Sequence, residues 1–412
     1  MTRVLEVYLK DKYVGELQQS EAGGYIFTYD EEYLETSDIG ISISLPLQSE
    51  PFIGKAVKAF FSGLLPDETV RERLAAYLGL SEQNTFSLLE AVGGDCAGAL
   101  ALYPVGQKPE KQVYKAEVLD EENLKNVLDL IKRRPMLAGD DDYRLSLAGA
   151  QNKLAVGFKD GKVLLIKGGA PTTHILKPVI ERVKDSTHNE LFCMRLAALV
   201  GLDAPNTSLH YVGHTPYYLI ERYDRIYLEN GSVERVHQED FCQALAIAPE
   251  MKYEKEGGPG LGECQELIKL YAAKPALEQI KFTNILIFNY LIGNADAHAK
   301  NFSLLYNAKK PRLAPVYDLL STIIYPDLSK KMAMAIGGQN KLDYIGMRHF
   351  ERIVPDTKVA RSLIKKQVLN MAKDLVAKAE ALRDSLKAEE IVSPVFEQII
   401  QVIEKQRAQL NF

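Results

Sequence analysis

The chain has 412 residues, 46% of them hydrophobic and 25% charged, which is ordinary for a globular protein with roughly two or three domains. A formal net charge of −5 does not favour a protein that binds nucleic acid by itself. The four cysteines are scattered without metal-ligand spacing, the N-terminus lacks an apolar signal core, and no uncharged apolar run is long enough to cross a bilayer. We therefore expect a cytoplasmic protein without a structural metal or membrane contact.

The first predicted domain, residues 1–105, has the pattern of a small α+β module. Its beginning alternates apolar and polar side chains on both sides of Asp11-Lys12, which is typical of two paired strands. The alternating segment 41–45 predicts a further strand. A helix is predicted to begin near Asp67 and to end at Gly79. No catalytic constellation is visible in this module.

The second predicted domain, residues 106–223, is rich in predicted strands. Segments 153–158 and 162–166 flank Asp160-Gly161, a dipeptide typical of a hairpin turn. Other elements predicted here are strands at 143–147, 173–177, 208–212 and 217–222 and a helix at 189–200.

The third predicted domain, residues 224–412, is mainly helical. Asp240 and Gln243 have the spacing of a capping box at a helix start. Segment 279–292 is apolar nearly all round, which predicts a buried helix. Segment 356–412 combines helical periodicity with many charges, which predicts amphipathic surface helices.

The stretch after the predicted buried helix has the most informative spacing in the chain. Asp296 and Asn301 stand in the pattern D-x-x-x-x-N, the spacing of a kinase catalytic loop, where Asp orients or deprotonates the acceptor and Asn binds Mg²⁺. Asp and Asn are also common in ordinary turns. His298 is a candidate for ordering this loop, and a zinc role for it is disfavoured because no second His or Cys lies at ligand spacing.

A predicted hairpin after this loop strengthens the kinase interpretation. Strands at 302–306 and 312–317 flank a turn, and Asp318 ends the second strand. Kinase folds carry their second Mg²⁺-binding aspartate on such a returning hairpin, and Mg²⁺ prefers oxygen ligands. The sequence therefore predicts an ATP- and Mg²⁺-dependent site with Asp296 as the catalytic residue and Asn301 and Asp318 as metal ligands.

A loop of small residues joins predicted strands 143–147 and 153–158. Backbone N–H groups of such a loop can approach phosphates closely, although with one glycine an ordinary turn remains an alternative. The residues predicted here to bind nucleotide are Ala148, Gly149, Ala150 and Gln151.

Further nucleotide-site candidates follow from chain order. Lys177, on the predicted strand 173–177, matches the strand-borne lysine that contacts nucleotide phosphates in kinases, with a water-facing lysine at a sheet edge as the alternative. Glu190 either pairs with Lys177 or favours the N-terminus of its helix. Glu221 and Tyr223 stand where kinases place the hinge that hydrogen-bonds adenine through backbone groups.

Together these segments resemble the HipA family, the kinase toxins of bacterial toxin–antitoxin pairs, over essentially the whole chain. The two specific blocks are S-x-A-G-A-Q-x-K at 146–153 and the stretch 294–302 around Asp296. The supporting segments are FFSGLLP at 60–66, HQEDFCQ at 237–243, GGPG at 257–260 and Tyr317-Asp318.

The resemblance implies a Ser/Thr protein kinase with a two-lobed α+β fold, an N-terminal α+β module and a mainly helical C-terminal lobe. It implies Asp296 as the catalytic aspartate, Asn301 and Asp318 as Mg²⁺ ligands, and Lys177 on the ATP phosphates. Family members can phosphorylate a serine of the phosphate loop, which here is Ser146. They usually pair with a small helix-turn-helix antitoxin, so DNA is reached only through that partner, and some act on aminoacyl-tRNA synthetases.

Two other functions share part of this pattern. D-x-H-x-x-N is also similar to small-molecule phosphotransferases related to aminoglycoside kinases, although the N-terminal module and the Ser146 block favour the protein kinase. A non-catalytic co-repressor with a DNA-binding partner is the other alternative. Intact Lys177, Asp296, Asn301 and Asp318 argue against a loss of activity, and a measurement of phosphate transfer separates these classes.

Overall fold

A computed structural model describes residues 2–108, 115–139, 147–167 and 169–410. Ser146, and the predicted strand 143–147 apart from Leu147, lie outside these ranges. The chain divides into two compact units, each built from three stretches of sequence. The first unit contains Met1–Pro178, His210–Glu250 and Ser303–Pro311, and the second contains Val179–Leu209, Met251–Phe302 and Arg312–Phe412.

The described helices and strands agree with most of the predicted elements. The strands are β1 Arg3–Leu9, β2 Lys12–Gln19, β3 Tyr25–Tyr29, β4 Phe52–Ile53, β5 Leu100–Pro104, β6 Lys115–Val118, β7 Leu154–Lys159, β8 Lys162–Lys167, β9 His174–Pro178, β10 Thr207–Val212, β11 Thr215–Glu221, β12 Arg225–Tyr227, β13 Val233–Arg235, β14 His237–Asp240, β15 Ser303–Tyr306, β16 Arg312–Leu313, β17 Lys331–Ile336 and β18 Gln339–Lys341. The helices are α1 Glu31–Thr36, α2 Lys55–Ser62, α3 Glu68–Leu78, α4 Thr85–Val92, α5 Glu121–Leu130, α6 Ser186–Leu199, α7 Phe241–Ala244, α8 Leu261–Tyr271, α9 Pro275–Ile292, α10 Met347–Glu351, α11 Lys358–Ala388 and α12 Pro394–Gln409.

The first unit begins with an antiparallel sheet in the order β4-β3-β2-β1-β5. The predicted pairing around Asp11 is confirmed, since Leu5 lies opposite Leu17 in the β1–β2 hairpin. Both side chains are fully buried and pack in one core with Phe27 and with Phe60 of α2. Alternating apolar residues on these strands thus supply one face of the core.

The predicted strand at 41–45 is wrong, because this segment is a turn that holds only an isolated bridge between Ser42 and Leu45. The Tyr29 hydroxyl accepts a hydrogen bond from the Ile41 N–H at 2.9 Å and donates one to the Leu45 carbonyl at 2.5 Å. The backbone groups that a strand would pair in a ladder are therefore bonded to a side chain instead.

Helix α7 connects two of the segments that carried the family resemblance. The predicted capping box at Asp240 and Gln243 is present. The Gln243 amide also donates a hydrogen bond to the Phe60 carbonyl at 3.0 Å. A Cβ on Gly63 would lie 2.7 Å from the Gln243 side chain, so glycine is required there for this contact.

A second sheet of the first unit has the order β10-β11-β9-β7-β8-β6, with β10 belonging to this unit from His210 onward. The predicted hairpin is confirmed, with Lys159 opposite Lys162 across the turn. Strand β9 lies inside this sheet between β11 and β7. Its position buries Leu176 completely.

The second unit packs its helices around α9. The prediction of a buried helix is confirmed, since Ile287, Phe288 and Tyr290 are fully buried. Long helices α11 and α12 confirm the helical prediction for the end of the chain. Among the residues that the structure describes, no helix combines the length and apolar character that crossing a bilayer requires.

The predicted strand at 312–317 is shorter than expected and contains only Arg312–Leu313. Pro315 has no N–H to contribute to a ladder. The N–H of Val316 donates to the carbonyl of Asp203 at 2.8 Å. The chain therefore reaches Asp318 as an irregular segment.

Candidate active site

The candidate catalytic loop begins where helix α9 ends. Gly293 has a left-handed backbone with φ 70°, which glycine adopts without strain. A Cβ at this position would lie 2.5 Å from the Ile323 side chain. Glycine therefore permits both the sharp end of the helix and the close packing against Ile323.

Hydrogen bonds on several sides fix the loop that follows. The Asn294 amide donates to the Asn289 side chain at 2.8 Å, and its oxygen accepts the Asp296 N–H at 3.1 Å. The Ala295 N–H donates to the Thr322 hydroxyl at 2.8 Å. The backbone around Asp296 is thus held before any substrate arrives, which favours catalysis by a positioned group.

Asp296 is exposed, although its neighbours from Asn294 to Lys300 are otherwise buried. The Tyr253 hydroxyl donates a hydrogen bond to Asp296 Oδ1 at 2.9 Å. The ring of His298 lies edge-on to Tyr253 with centroids 5.2 Å apart. An accessible carboxylate on a fixed loop is suited to accept a proton from a hydroxyl group.

Asn301 and Asp318 meet at the end of this loop. The Asn301 amide donates to Asp318 Oδ2 at 3.1 Å, and Asn301 Oδ1 accepts the His298 N–H at 3.1 Å. Amide and carboxylate oxygens are hard ligands of the kind that suits Mg²⁺, so this pair fits that ion. Within the described part of the chain, no group of three or more His, Cys, Asp or Glu side chains could hold a metal. Mg²⁺ at this pair would take its other ligands from phosphates and water.

Helix α6 braces the segment that carries Asp318. The Asn189 side chain accepts the Ser321 N–H at 2.9 Å and donates to the Ser321 carbonyl at 3.0 Å. The Tyr317 hydroxyl donates to the Lys300 carbonyl at 2.8 Å. Sequence reasoning missed Asn189, which directly precedes the completely buried Glu190, because its partners lie far away in sequence.

The candidate phosphate loop belongs to the first unit and is braced by the N-terminal module. The Gly149 carbonyl accepts the Asp67 N–H at 3.2 Å, and Gly149 forms a parallel bridge with Pro66. The Lys153 ammonium donates to the Ala148 carbonyl at 2.7 Å. Gly149 has φ 106°, and a Cβ on it would lie 2.5 Å from Lys153 Nζ. The described part of the loop, which includes half-buried Gln151 and exposed Ala150, is therefore built around this glycine.

Lys177 lies on β9 opposite Tyr218 of β11. Its side chain is only 6% exposed, and β9 is an interior strand. The alternative of a water-facing lysine at a sheet edge is therefore wrong. Lysine is rarely buried without a functional or structural partner. Its predicted partner Glu190 belongs to the second unit.

The predicted hinge residues lie at the end of β11 in the first unit. Glu221 is opposite His174 of β9. Tyr223 forms a side-chain hydrogen bond with Gln238, and burial raises the pKa of its hydroxyl well above the usual range. If backbone groups of this segment bind adenine, neither the Glu221 nor the Tyr223 side chain needs to contact it.

A buried charge cluster that the sequence did not reveal surrounds this hinge. Asp224 Oδ2 lies 2.7 Å from the Arg222 guanidinium and 3.1 Å from that of Arg225. Burial alone would raise the pKa of Asp224, but the two arginines outweigh it and hold that pKa well below the usual range. The Gly98 N–H donates to the same oxygen at 3.3 Å. The cluster joins the N-terminal module to the end of β11.

Comparisons with known proteins identify the family of the chain. The description "HipA N-terminal domain" matches residues 5–103, and "HipA-like C-terminal domain" matches residues 145–382. The serine/threonine-protein kinase toxin HipA of Shewanella oneidensis is 32% identical over 81% of this chain and 79% of its own. Y4mE of Sinorhizobium fredii, whose name calls it a kinase only provisionally, is 43% identical over 92% of this chain and 91% of its own.

A solved structure extends the likeness to the fold. The Shewanella oneidensis toxin–antitoxin complex of HipA, HipB and operator DNA contains a chain that matches with a TM-score of 0.82 at 27% identity. The match covers 98% of this chain and 95% of that one. The predicted α+β kinase-like fold is confirmed, and the chain belongs to the HipA family of toxin kinases.

Proposed function

We propose that this chain is an ATP- and Mg²⁺-dependent serine/threonine protein kinase that acts as the toxin of a toxin–antitoxin pair. The observation that carries the proposal is the 3.1 Å contact that joins Asp318 to Asn301, at the end of the loop that also presents the exposed Asp296. A base and a pair of metal ligands, held close together, are parts that phosphoryl transfer requires.

The proposed roles follow from the chemistry of each side chain. Asp296 orients the acceptor hydroxyl and takes its proton, and its exposure gives a polypeptide access to it. Asn301 and Asp318 hold Mg²⁺, which when bound neutralises charge on the phosphates. Lys177 and the backbone N–H groups of residues 148–151 bind those phosphates, and backbone groups near Glu221 and Tyr223 bind adenine.

The proposed partners are a protein substrate and a small helix-turn-helix antitoxin in the cytoplasm. The solved relative is a complex with HipB and operator DNA, which supports an antitoxin that carries the contact with DNA. An aminoacyl-tRNA synthetase is a candidate substrate, because some members of the family act on such enzymes.

We also propose that Ser146 is an autophosphorylation site. Its position directly precedes the braced segment at Leu147–Gly149. A phosphate there adds roughly −1.5 to −2 charges and competes with ATP for the same backbone N–H groups. Modified protein should therefore bind ATP poorly.

The test is transfer of radiolabelled phosphate from ATP in cell lysate, comparing the wild type with Asp296→Asn. We expect strong labelling of protein bands with the wild type, a labelling rate about 10²–10⁴-fold lower with Asp296→Asn, and phosphate on Ser146 of the wild type by mass spectrometry. Asp327→Asn is the matched control, since Asp327 is an exposed aspartate of the same unit.

The outcomes separate the competing functions. Label on small molecules but on no protein would favour a phosphotransferase of the aminoglycoside-kinase type. Equal labelling by Asp296→Asn would refute the catalytic assignment. Absence of transfer to any acceptor, together with retained binding of the antitoxin and operator DNA, would favour the co-repressor.

A further inference from the structure

The glycine-rich segment 257–260 is one of the segments that support the resemblance to the HipA family. None of the catalytic, nucleotide-binding or metal-binding roles proposed above uses it. In the structure this segment ends a tight loop that begins at Tyr253. The Tyr253 carbonyl accepts the Glu256 N–H at 2.9 Å and the Gly258 N–H at 3.0 Å. A Cβ on Gly258 would lie 2.0 Å from the Met251 carbonyl oxygen and 2.8 Å from that of Tyr253. Any larger residue at position 258 must therefore shift the backbone of residues 251–253 or its own segment.

Strand β17 holds this loop and the catalytic loop together. The Glu254 carboxylate accepts the Ala335 N–H at 2.5 Å. Two residues earlier on the same strand, the Ala333 N–H donates to the Ala295 carbonyl at 2.8 Å. Glu254, which follows Tyr253, and Ala295, which precedes Asp296, are thus both hydrogen-bonded to one short strand.

The side chain of Tyr253 is held at both its ring and its hydroxyl. The ring packs edge-on against His298 at 5.2 Å, and the ammonium groups of Lys252 and Lys255 lie 5.4 and 5.5 Å from its centroid. The hydroxyl donates to Asp296 Oδ1 at 2.9 Å. One oxygen of the Asp296 carboxylate is therefore held by Tyr253, which fixes the orientation of the carboxylate.

We propose that Tyr253 is a positioning residue for Asp296 and that the glycine-rich segment 257–260 serves to present it. The inference rests on the proposed kinase function. By donating to Oδ1, Tyr253 restricts rotation of the exposed carboxylate and keeps it in the orientation that proton transfer from the acceptor requires. It has no assigned role in nucleotide or metal binding, so its loss should affect turnover and not the KM for ATP.

The test compares steady-state kinetics of Tyr253→Phe with the wild type. Phenylalanine keeps the ring contacts and removes the hydroxyl alone. Since hydrogen bonds to charged groups are the stronger ones, we expect kcat to fall about tenfold, with an unchanged KM for ATP and a similar melting temperature. Tyr271→Phe, on an exposed tyrosine of the same unit, should keep wild-type kinetics.

A second pair of variants tests the presenting loop. Gly258→Ala should reproduce the fall in kcat at unchanged KM for ATP, whereas Gly262→Ala, where a Cβ meets no atom within 4 Å, should leave both constants unchanged. Wild-type kcat in Tyr253→Phe, with Asp296→Asn inactive, would overturn this inference and leave the kinase proposal standing. A wild type that transfers no phosphate to any acceptor would overturn both.

Discussion

The backbone of Asp318 is left-handed, with φ 58°, a conformation that few residues other than glycine adopt. Aspartate and asparagine tolerate it better than most, but such positions still cost on the order of 1 kcal/mol or more. Tyr317 and Ser321 on either side are hydrogen-bonded to Lys300 and Asn189. The surrounding bonds therefore hold the carboxylate at Asn301 against a local preference for other conformations.

This conformation makes Asp318→Asn the sharpest test of the proposed metal site. Asparagine tolerates the same backbone, so the variant should fold normally while losing the charge that we propose binds Mg²⁺. Calorimetry should show a large loss of ATP affinity in the presence of Mg²⁺ and little change in EDTA. Asp318→Ala should add a fall in melting temperature from backbone strain. Wild-type Mg-ATP affinity in Asp318→Asn would remove Asp318 from the metal site.

The sequence suggests candidate residues where their signal is local along the chain. Asp296 and Asn301 are five positions apart, and both lie on the loop after a helix whose apolar pattern is plain. Tyr253 and Asn189 carry no local pattern, since each acts through a partner 40 or more positions away. Only the folded chain places them at the site.

At the scale of elements, the candidate phosphate loop is held by a glycine and by the N-terminal module. We predict that Gly149→Ala raises the KM for ATP about tenfold, a cost of about 1.4 kcal/mol, because a Cβ would displace the Lys153 ammonium from the Ala148 carbonyl that it holds. Gly161→Ala is the matched control: it adds a similar positive-φ strain at φ 75° in the β7–β8 turn, where a Cβ meets nothing within 4 Å. Steady-state kinetics should show the higher KM in the first variant only, and an equal KM in both would refute the role of Gly149.

Helices and strands were predictable where backbone groups form hydrogen bonds with other backbone groups. The hairpins and the buried helix α9 follow their hydrophobic periods, and the structure has them within a few residues. The segment 41–45 alternates like a strand, but Tyr29 and Glu239 bond its backbone. The strand at 312–317 fails after Leu313 because Pro315 has no N–H. The first error comes from side-chain contacts and the second from a proline, and the alternating pattern accounts for neither.

At the scale of the whole molecule, Glu239 connects stretches of the first unit that lie far apart in sequence. Its carboxylate accepts the Ser42 hydroxyl at 2.5 Å, the Ile43 N–H at 3.0 Å and the Tyr306 hydroxyl. Burial raises the pKa of Glu239 to about 7, although these three donors oppose the rise. The folded state therefore holds this proton at pH values where the unfolded chain has released it.

A stability profile against pH tests this linkage. A raised pKa in the folded state means that the contribution of Glu239 is fully present below about pH 4.5 and is lost as pH rises through about 7. We predict that the free energy of unfolding of the wild type falls by about 2–3 kcal/mol more than that of Glu239→Gln between pH 5 and pH 8. Glu234→Gln, on a half-exposed carboxyl of the same unit, should follow the wild type. Parallel profiles for the wild type and Glu239→Gln would contradict the prediction.

The discontinuity of the first unit has a consequence for how the protein is made. Strand β15 completes that unit by pairing with β14, and it is synthesised only when the ribosome has reached residue 306 of 412. Until then, β14 lacks its partner strand and Glu239 lacks the Tyr306 hydroxyl. A nascent chain released early would expose an unpaired strand edge, which invites aggregation and proteolysis. We therefore expect truncated products of this chain to be degraded before they accumulate.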